Sequence, residues 1–276
     1  MYAAFGGQAV GVTPPFDEAV ELAAHYGFKG IYLDLGFLRT AGPGGLVQLL
    51  EDRSLEAAGW VLPFSLTADD DGFSAGLEQL AETAELCSRA NCLRCIRWIS
   101  PGSSMPYDET FALLRDRVNA VCTVLAEYDV RLGLEFVGPA TSRQKAEYES
   151  IHTLEQVMDL WEAVDVSNVG LLADCWHFHC TGIEMDAILD LPKERIVDVH
   201  VSDAPEGVPR DELMDNDRRL PGETGVIDAR RFLECLQEIG YTGPVMVEPI
   251  GKPLHLLENH EAIRTLKESL DSVWPD

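Results

Sequence analysis

The feature of this 276-residue chain that most restricts its fold is a repeated alternation of short β-rich runs with helical segments. The first strand lies within Tyr2–Val12, and a helix over Asp17–Tyr26 leads to a strand at Gly30–Leu35. A helix within Leu46–Ala58 then precedes the strand Trp60–Leu66, and a helix over Ala75–Arg89 precedes Cys92–Ile99. The pattern continues with the helix Tyr107–Tyr128 and the strand Arg131–Val137, then the helix Thr153–Val164 and the strand Val169–Trp176. A short helix over Glu184–Leu189, the strand Ile196–Ser202, a helix over Ala229–Ile239, the strand Pro244–Ile250 and a last helix over Leu256–Val273 complete it. Eight strand–helix units are what a closed (β/α)8 barrel, an α/β fold of the TIM type, requires. A doubly wound open sheet would normally carry a G-x-G-x-x-G turn after an early strand, and the chain has none. Residues 1–276 therefore read as one barrel domain.

Loop lengths add direction. Helix-to-strand connections such as Tyr26–Lys29 and Gly240–Gly243 are short, whereas the strand-to-helix stretches Gly138–His152 and Asp203–Asp228 are long. In barrels the strand-to-helix loops build the active-site face. The Gly42-Pro43-Gly44-Gly45 cluster reads as a turn before the second helix.

Composition excludes several partners. With 47 acidic against 21 basic residues the formal charge is −26, a field that repels nucleic acid and suits no anionic membrane surface. No apolar run approaches the roughly 20 residues of a membrane helix, and the start MYAAFGGQAVGVTPP lacks a basic n-region and a long apolar stretch, so a cytoplasmic protein is expected. The seven cysteines sit mostly in apolar segments and read as reduced core residues. Cys92 and Cys95, three apart in a predicted strand, fall on opposite faces and make a poor metal pair.

Strand periodicity sorts the candidate site residues. Glu135 lies opposite the apolar Leu132, Leu134 and Phe136, Asp174 ends its strand, and His200 lies opposite Val197, Val199 and Val201. Glu248 shares the face of Met246. Four consecutive strands thus bring an ionisable group to the mouth of the barrel. Unpaired buried charges cost several kcal/mol, so each carboxylate needs either an Arg or Lys partner, few of which lie in these strands, or a bound cation. Three carboxylates and an imidazole suit Mn²⁺, Mg²⁺ or Co²⁺.

The segments GLEFV (Gly133–Val137), VGLLADCWH (Val169–His177), VDVHVSD (Val197–Asp203), RLPGETGVID (Arg219–Asp228) and GPVMVEPI (Gly243–Ile250) resemble the xylose-isomerase-like superfamily of sugar isomerases and epimerases. The resemblance extends from roughly residue 90 onward and more loosely over the earlier units. It implies one divalent metal ion, Mn²⁺ foremost, on Glu135, Asp174, His200 and Glu248. It also implies that Glu135 and Glu248 serve as acid and base, removing a proton next to a carbonyl by way of a metal-bound enediolate. By the same matching His177 and Arg219 contact the substrate, and Trp98 and Trp176, at strand ends, are candidates to stack on a sugar ring. The HxH pair His177 and His179 is expected on one strand face, with His179 at the rim. Asp198 is expected to pair with Arg94 or Arg97, and Arg210, Asp211 and Arg218 are loop residues that close over substrate or are simply solvated. The ketohexose epimerases carry a further acidic residue just after the first metal-binding glutamate. Here that stretch, Phe136–Thr141, has no acid, which argues against a ketohexose.

The expected function is therefore a metal-dependent isomerase or epimerase of a small sugar or cyclitol, with a dehydratase of a keto sugar, inosose or dehydroshikimate-type compound as the alternative. A homo-oligomer is compatible with this family. An abasic-site endonuclease needs a basic face and a histidine-rich zinc cluster, which this acidic chain lacks. A non-catalytic sugar-binding protein would have lost at least one metal position.

Overall fold

Runs such as Val169–Asp174 (VGLLAD) and Ile196–Val201 (IVDVHV) are buried at every position, as parallel strands covered on both faces must be. The computed structural model describes residues 1–276, and in it these runs form part of one parallel sheet. Its strands are β1 (Tyr2–Phe5), β2 (Gly30–Ile31), an interrupted β3 (Glu56–Ala57 and Trp60–Val61), β4 (Arg94–Ile99), β5 (Arg131–Phe136), β6 (Val169–Asp174), β7 (Ile196–Val201) and β8 (Pro244–Val247). The first half of β3 pairs with β2 and the second half with β4, so the sheet closes on itself through Ala58 and Gly59. The amide of Ala58 donates to the carbonyl of Ile31 and that of Leu33 to the carbonyl of Gly59, both at 2.9 Å, which carries the closure across the break. The fold is a TIM barrel.

Several boundaries differ from the sequence reading. The second helix runs over Leu35–Glu51, capped by the Asp34 side chain, not over Leu46–Ala58. Gly42 (φ 72°, ψ 162°) breaks it, and Pro43 restarts it where a missing N–H costs nothing, so the glycine cluster is a kink inside a helix and not the turn before one. The third strand accordingly begins at Glu56, ahead of Trp60. The sixth strand stops at Asp174, because the Asp174 side chain accepts from the Trp176 amide (2.9 Å) and starts a helix over Cys175–Thr181. His177 and His179 therefore lie on a helix and not on a strand face. The predicted helix Glu184–Leu189 is a 3-10 turn over Met185–Asp190. No helix is long and apolar enough to cross a membrane.

The seven cysteines are free and buried. Burial raises the Cys87 and Cys122 thiols from 9.0 to about 12 and pushes Cys92 and Cys95 well above the ordinary range. The fold therefore holds these groups protonated, and their contribution to stability is complete below pH 9 and lost as pH climbs toward 12. The urea midpoint is expected to fall steeply between pH 9 and 12, and Cys122→Ala is expected to flatten part of that fall; a wild-type midpoint constant up to pH 11 would contradict the assignment.

Candidate active site

Barrel register brings the expected residues together. His200 on β7 stands level with Asp174 on β6, and Glu135 on β5 stands level with Trp98 on β4. Glu248 follows directly on β8, its amide bonded to the Val201 carbonyl (2.9 Å). One ligand atom each from Glu135, Asp174, His200 and Glu248 lies within 4.8 Å of the others, and all four residues are buried. His200 Nδ1 is 3.4 Å from Glu248 Oε2 and 3.8 Å from Glu135 Oε1.

Three buried atoms in this cluster, Glu135 Oε1 and both ring nitrogens of His200, have no hydrogen-bond partner. Buried polar atoms are rarely left so, because each forfeits its hydration without return. An oxygen-rich set with one imidazole is also the donor chemistry of Mn²⁺, Mg²⁺ or Zn²⁺. The residues present fit a divalent cation.

A guanidinium supplies part of the neutralisation. Arg218, 1% exposed, reaches in from the long loop after β7 and donates through Nη1 to Asp174 Oδ2 (2.7 Å) and Glu248 Oε2 (3.0 Å). Its Nη2 donates to Asp215 (2.8 Å). Arg219 instead turns outward onto Asp217 (2.6 Å), while its backbone pairs with Asp203. The reason is local: the antiparallel bridge Asp203–Arg219 fixes one residue's side chain on the outer side and leaves its neighbour pointing at the carboxylates. In sequence Arg219 stands out because it opens the RLPGETG motif, whereas Arg218 is one loop residue among others. The one signal available for Arg218 was the need of three carboxylates for a cation.

His177 is buried beside the cluster, with Nε2 at 3.7 Å from Glu135 Oε1 and 3.8 Å from Asp174 Oδ2. The Gly138 amide donates to its Nδ1 (3.1 Å), which assigns the ring proton to Nε2, facing the carboxylates. Burial lowers its basicity, so this proton stays on a neutral ring. Trp176 is fully buried beneath Arg218, the guanidinium carbon 5.3 Å from its ring, and it does not line the cavity. Trp98 does, and half of it is exposed (49%). His179 is half-buried on the helix that starts at Asp174. Asp198 takes neither Arg94 nor Arg97 as a hydrogen-bond partner: its Oδ1 accepts from the Tyr32 hydroxyl and the Val199 amide.

The two glutamates are electrostatically unlike. Burial pushes the Glu135 carboxyl well above the usual range, and the Glu248 carboxylate pushes it further. Burial alone would raise Glu248 as well, but the His200 ring and the Arg218 guanidinium outweigh it and hold this carboxyl down at about 2. The protein's own groups thus push the two carboxyls in opposite directions.

The cluster opens into a cavity of about 340 Å³ at the carboxyl ends of the strands. Its walls are mainly apolar, with Phe5, Trp60 and Met246 among them, while Glu135, His200 and Glu248 supply the polar floor. That size and mixture suit one small molecule with apolar faces and a few oxygens.

Residues 20–273 match the family described as xylose isomerase-like TIM barrel. The chain belongs to that family. Among curated relatives, an inosose isomerase of Bacillus velezensis is 35% identical over 146 residues, 53% of this chain and 49% of the relative. An inosose isomerase of Halalkalibacterium halodurans is 34% identical over 157 residues, 55% and 52% of the two chains. A 3-dehydroshikimate dehydratase of Pseudomonas aeruginosa is 33% identical over 138 residues, 50% of this chain and 20% of that one. This chain thus spans about half the length of the inosose isomerases it matches. Among solved structures, a xylose isomerase domain protein from Alicyclobacillus acidocaldarius superposes with a TM-score of 0.88 at 25% identity, covering 99% of this chain and 98% of that one. The IOLI protein, whose crystal structure holds a zinc atom, superposes with a TM-score of 0.83 at 24% identity over 99% and 98% of the chains.

Proposed function

We propose that this protein catalyses the metal-dependent isomerisation or epimerisation of a small keto sugar or cyclitol ketone, with Glu135 and Glu248 moving the proton. The observation that carries this reading is the convergence of three carboxyl groups and an imidazole, within 4.8 Å of one another, beside a small and mainly apolar cavity.

A divalent ion on Glu135, Asp174, His200 and Glu248 would polarise the substrate's carbonyl and hydroxyl oxygens. The donor set and the zinc atom of the IOLI structure support such an ion, and Mn²⁺ is the proposed one. One of the two glutamates, as a carboxylate, takes the proton from the carbon beside the carbonyl, and the carboxyl of the other returns one to the substrate. His177, buried behind the cavity, faces Glu135 and Asp174 through its Nε2, and Arg218 holds Asp174 and Glu248 in place as it neutralises them. Trp98 offers a ring face to the substrate. Arg219 and Trp176, turned away from the cavity, have no contact role in this reading. The inosose isomerases among the relatives support a cyclitol ketone as substrate.

The second reading is a dehydratase, supported by the 3-dehydroshikimate dehydratase relative; a glutamate that has taken the substrate's proton can deliver it to a departing hydroxyl. Incubating the Mn²⁺-loaded protein in D₂O with a panel of inososes and keto sugars, followed by proton NMR, separates the two. Deuterium beside the carbonyl together with a new isomer or epimer is the expected result. Deuterium with loss of a β-hydroxyl selects the dehydratase, and no exchange with any compound on metal-loaded protein refutes both.

A further inference from the structure

We infer that the substrate carries an apolar group, aryl or alkyl, on the side of its ring away from the ketone, so that the cavity takes such a substituted keto sugar or cyclitol ketone in preference to the bare polyol. This rests on the proposed ketone chemistry of the same cavity and adds the character of the substrate's far side.

Strand register divides the barrel mouth into two unlike halves. Glu135, Asp174, His200 and Glu248 come from β5 to β8 and form the oxygen-rich half. On β4, Trp98 stands level with Glu135 and Ile96 with Gly133, so both side chains share the inward face of Glu135. Val61, in the second half of β3, stands level with Ile96. Met246 stands level with His200 and extends the apolar surface to β8. All four line the cavity. Of their side chains only Trp98 has an N–H to donate.

The polar groups on this side are engaged elsewhere. The Tyr32 hydroxyl donates to Asp198 Oδ1, so Tyr32 gives the cavity its ring and not its O–H. The Asp34 carboxylate caps a helix by accepting from the Phe37 amide (2.8 Å). Arg97 belongs to the other face of β4, with Cys95 and Ile99, and its guanidinium lies 3.8 Å over the Trp98 ring. Trp98 still keeps half of its surface exposed.

A bare cyclitol ketone or keto sugar carries an oxygen on nearly every carbon. With its ketone at the carboxylates, its remote hydroxyls would meet these apolar surfaces and lose water without gaining a partner, which is costly. A sugar can stack one C–H face on an aromatic ring, and that would account for Trp98 alone. It does not account for Tyr32, Val61 and Met246, which approach from other strands. An aryl or alkyl group turned toward β2–β4 matches all of them.

The test measures binding by calorimetry on Mn²⁺-loaded protein, using keto sugars and inososes, each beside its O-phenyl and O-butyl derivatives. At least one derivative is expected to bind about 10- to 100-fold more tightly than its parent, as withdrawing roughly 55–110 Å² of apolar surface from water supplies. Trp98→Ala and Val61→Asn are each expected to reduce that ratio by about three- to tenfold. Neither side chain is fully buried, circular dichroism confirms that the variants fold, and the wild-type comparison needs no variant. Displacement of the derivative by its parent places both in one cavity. No derivative tighter than its parent, a ratio unchanged in both variants, or a derivative that its parent cannot displace overturns the inference. The two readings fail separately. Deuterium exchange of bare inososes with no gain from any substituent keeps the ketone chemistry and discards the apolar group. A Trp98-dependent gain without any exchange does the reverse.

Discussion

Replacing Glu248 by Gln is expected to lower substrate proton exchange by about 10²- to 10⁴-fold, the range contributed by a positioned general acid or base. The amide keeps an oxygen in the cluster and nearly the same shape, but it cannot accept a proton. Glu248 stays ionised because the His200 ring and the Arg218 guanidinium outweigh the effect of its burial. Glu135→Gln removes the second proton carrier of the cluster, and a loss of similar size is expected. Metal content, measured by elemental analysis on the same samples, distinguishes a lost proton carrier from a lost ligand. Exchange within tenfold of wild type on metal-loaded Glu248→Gln protein would remove Glu248 from the proton transfer.

The second large effect concerns a residue that touches no substrate. Asp203, just beyond β7, is fully buried, and the hydrogen bonds to its carboxylate come from backbone amides. Four backbone amides converge on its carboxylate: Ala204 and Ile227 on Oδ1, each at 2.8 Å, and Thr224 and Gly225 on Oδ2 at 2.9 and 2.7 Å. Its own backbone pairs with Arg219 (2.8 and 2.7 Å). The carboxylate thus gathers both ends of the loop that delivers Arg218. Asp203→Ala would leave those amides buried without an acceptor, and a loss of about 3–5 kcal/mol in urea unfolding is expected. Asp203→Asn keeps one acceptor oxygen and turns an NH₂ toward two of the donors, so its loss should be intermediate. Because Arg218 also donates to Asp174 and Glu248, divalent-ion affinity measured by calorimetry should shift in Asp203→Asn as well. A loss below about 1 kcal/mol in Asp203→Ala would show that the loop holds itself without this carboxylate.

A close approach farther along the same loop explains one glycine. Gly251 has φ 86°, and a Cβ there would lie 1.7 Å from the Asn216 carbonyl oxygen, so only glycine lets the loop pass over the end of β8. Beside that crossing the Arg218 amide bonds to the Ile250 carbonyl (3.0 Å), which fixes the entry angle of the guanidinium.

The convergence of Glu135, Asp174, His200 and Glu248 was legible in the chain itself. Each lies at the carboxyl end of a strand, and each strand's alternation is dictated by its own neighbours, as Val197, Val199 and Val201 dictate the face of His200. Once eight such units close, the barrel brings strand ends to one mouth with no further information. The runs Gly30–Leu35 and Trp60–Leu66 read as full strands but pair only over Gly30–Ile31 and over the split β3, because the length of a pairing is set by the neighbouring strand and not by the run's own period. The apolar run Val169–Ala173 reads as a strand that continues through Trp176, whereas the Asp174 side chain converts the chain to a helix in one step.

The barrel and the positions of the three carboxyl groups and the imidazole follow from patterns between residues two to four apart, which the chain carries locally. That Arg218 and not Arg219 neutralises the cluster, and that Trp98 lines the cavity while Trp176 is sealed beneath Arg218, depends on contacts between distant parts of the chain. Those outcomes depend on where a 24-residue loop between Asp203 and Asp228 is anchored and on which neighbours fill the space around each side chain. A coil has no period from which either could be computed, and its conformation is set by contacts such as the four amides on Asp203, which form only when the barrel is closed.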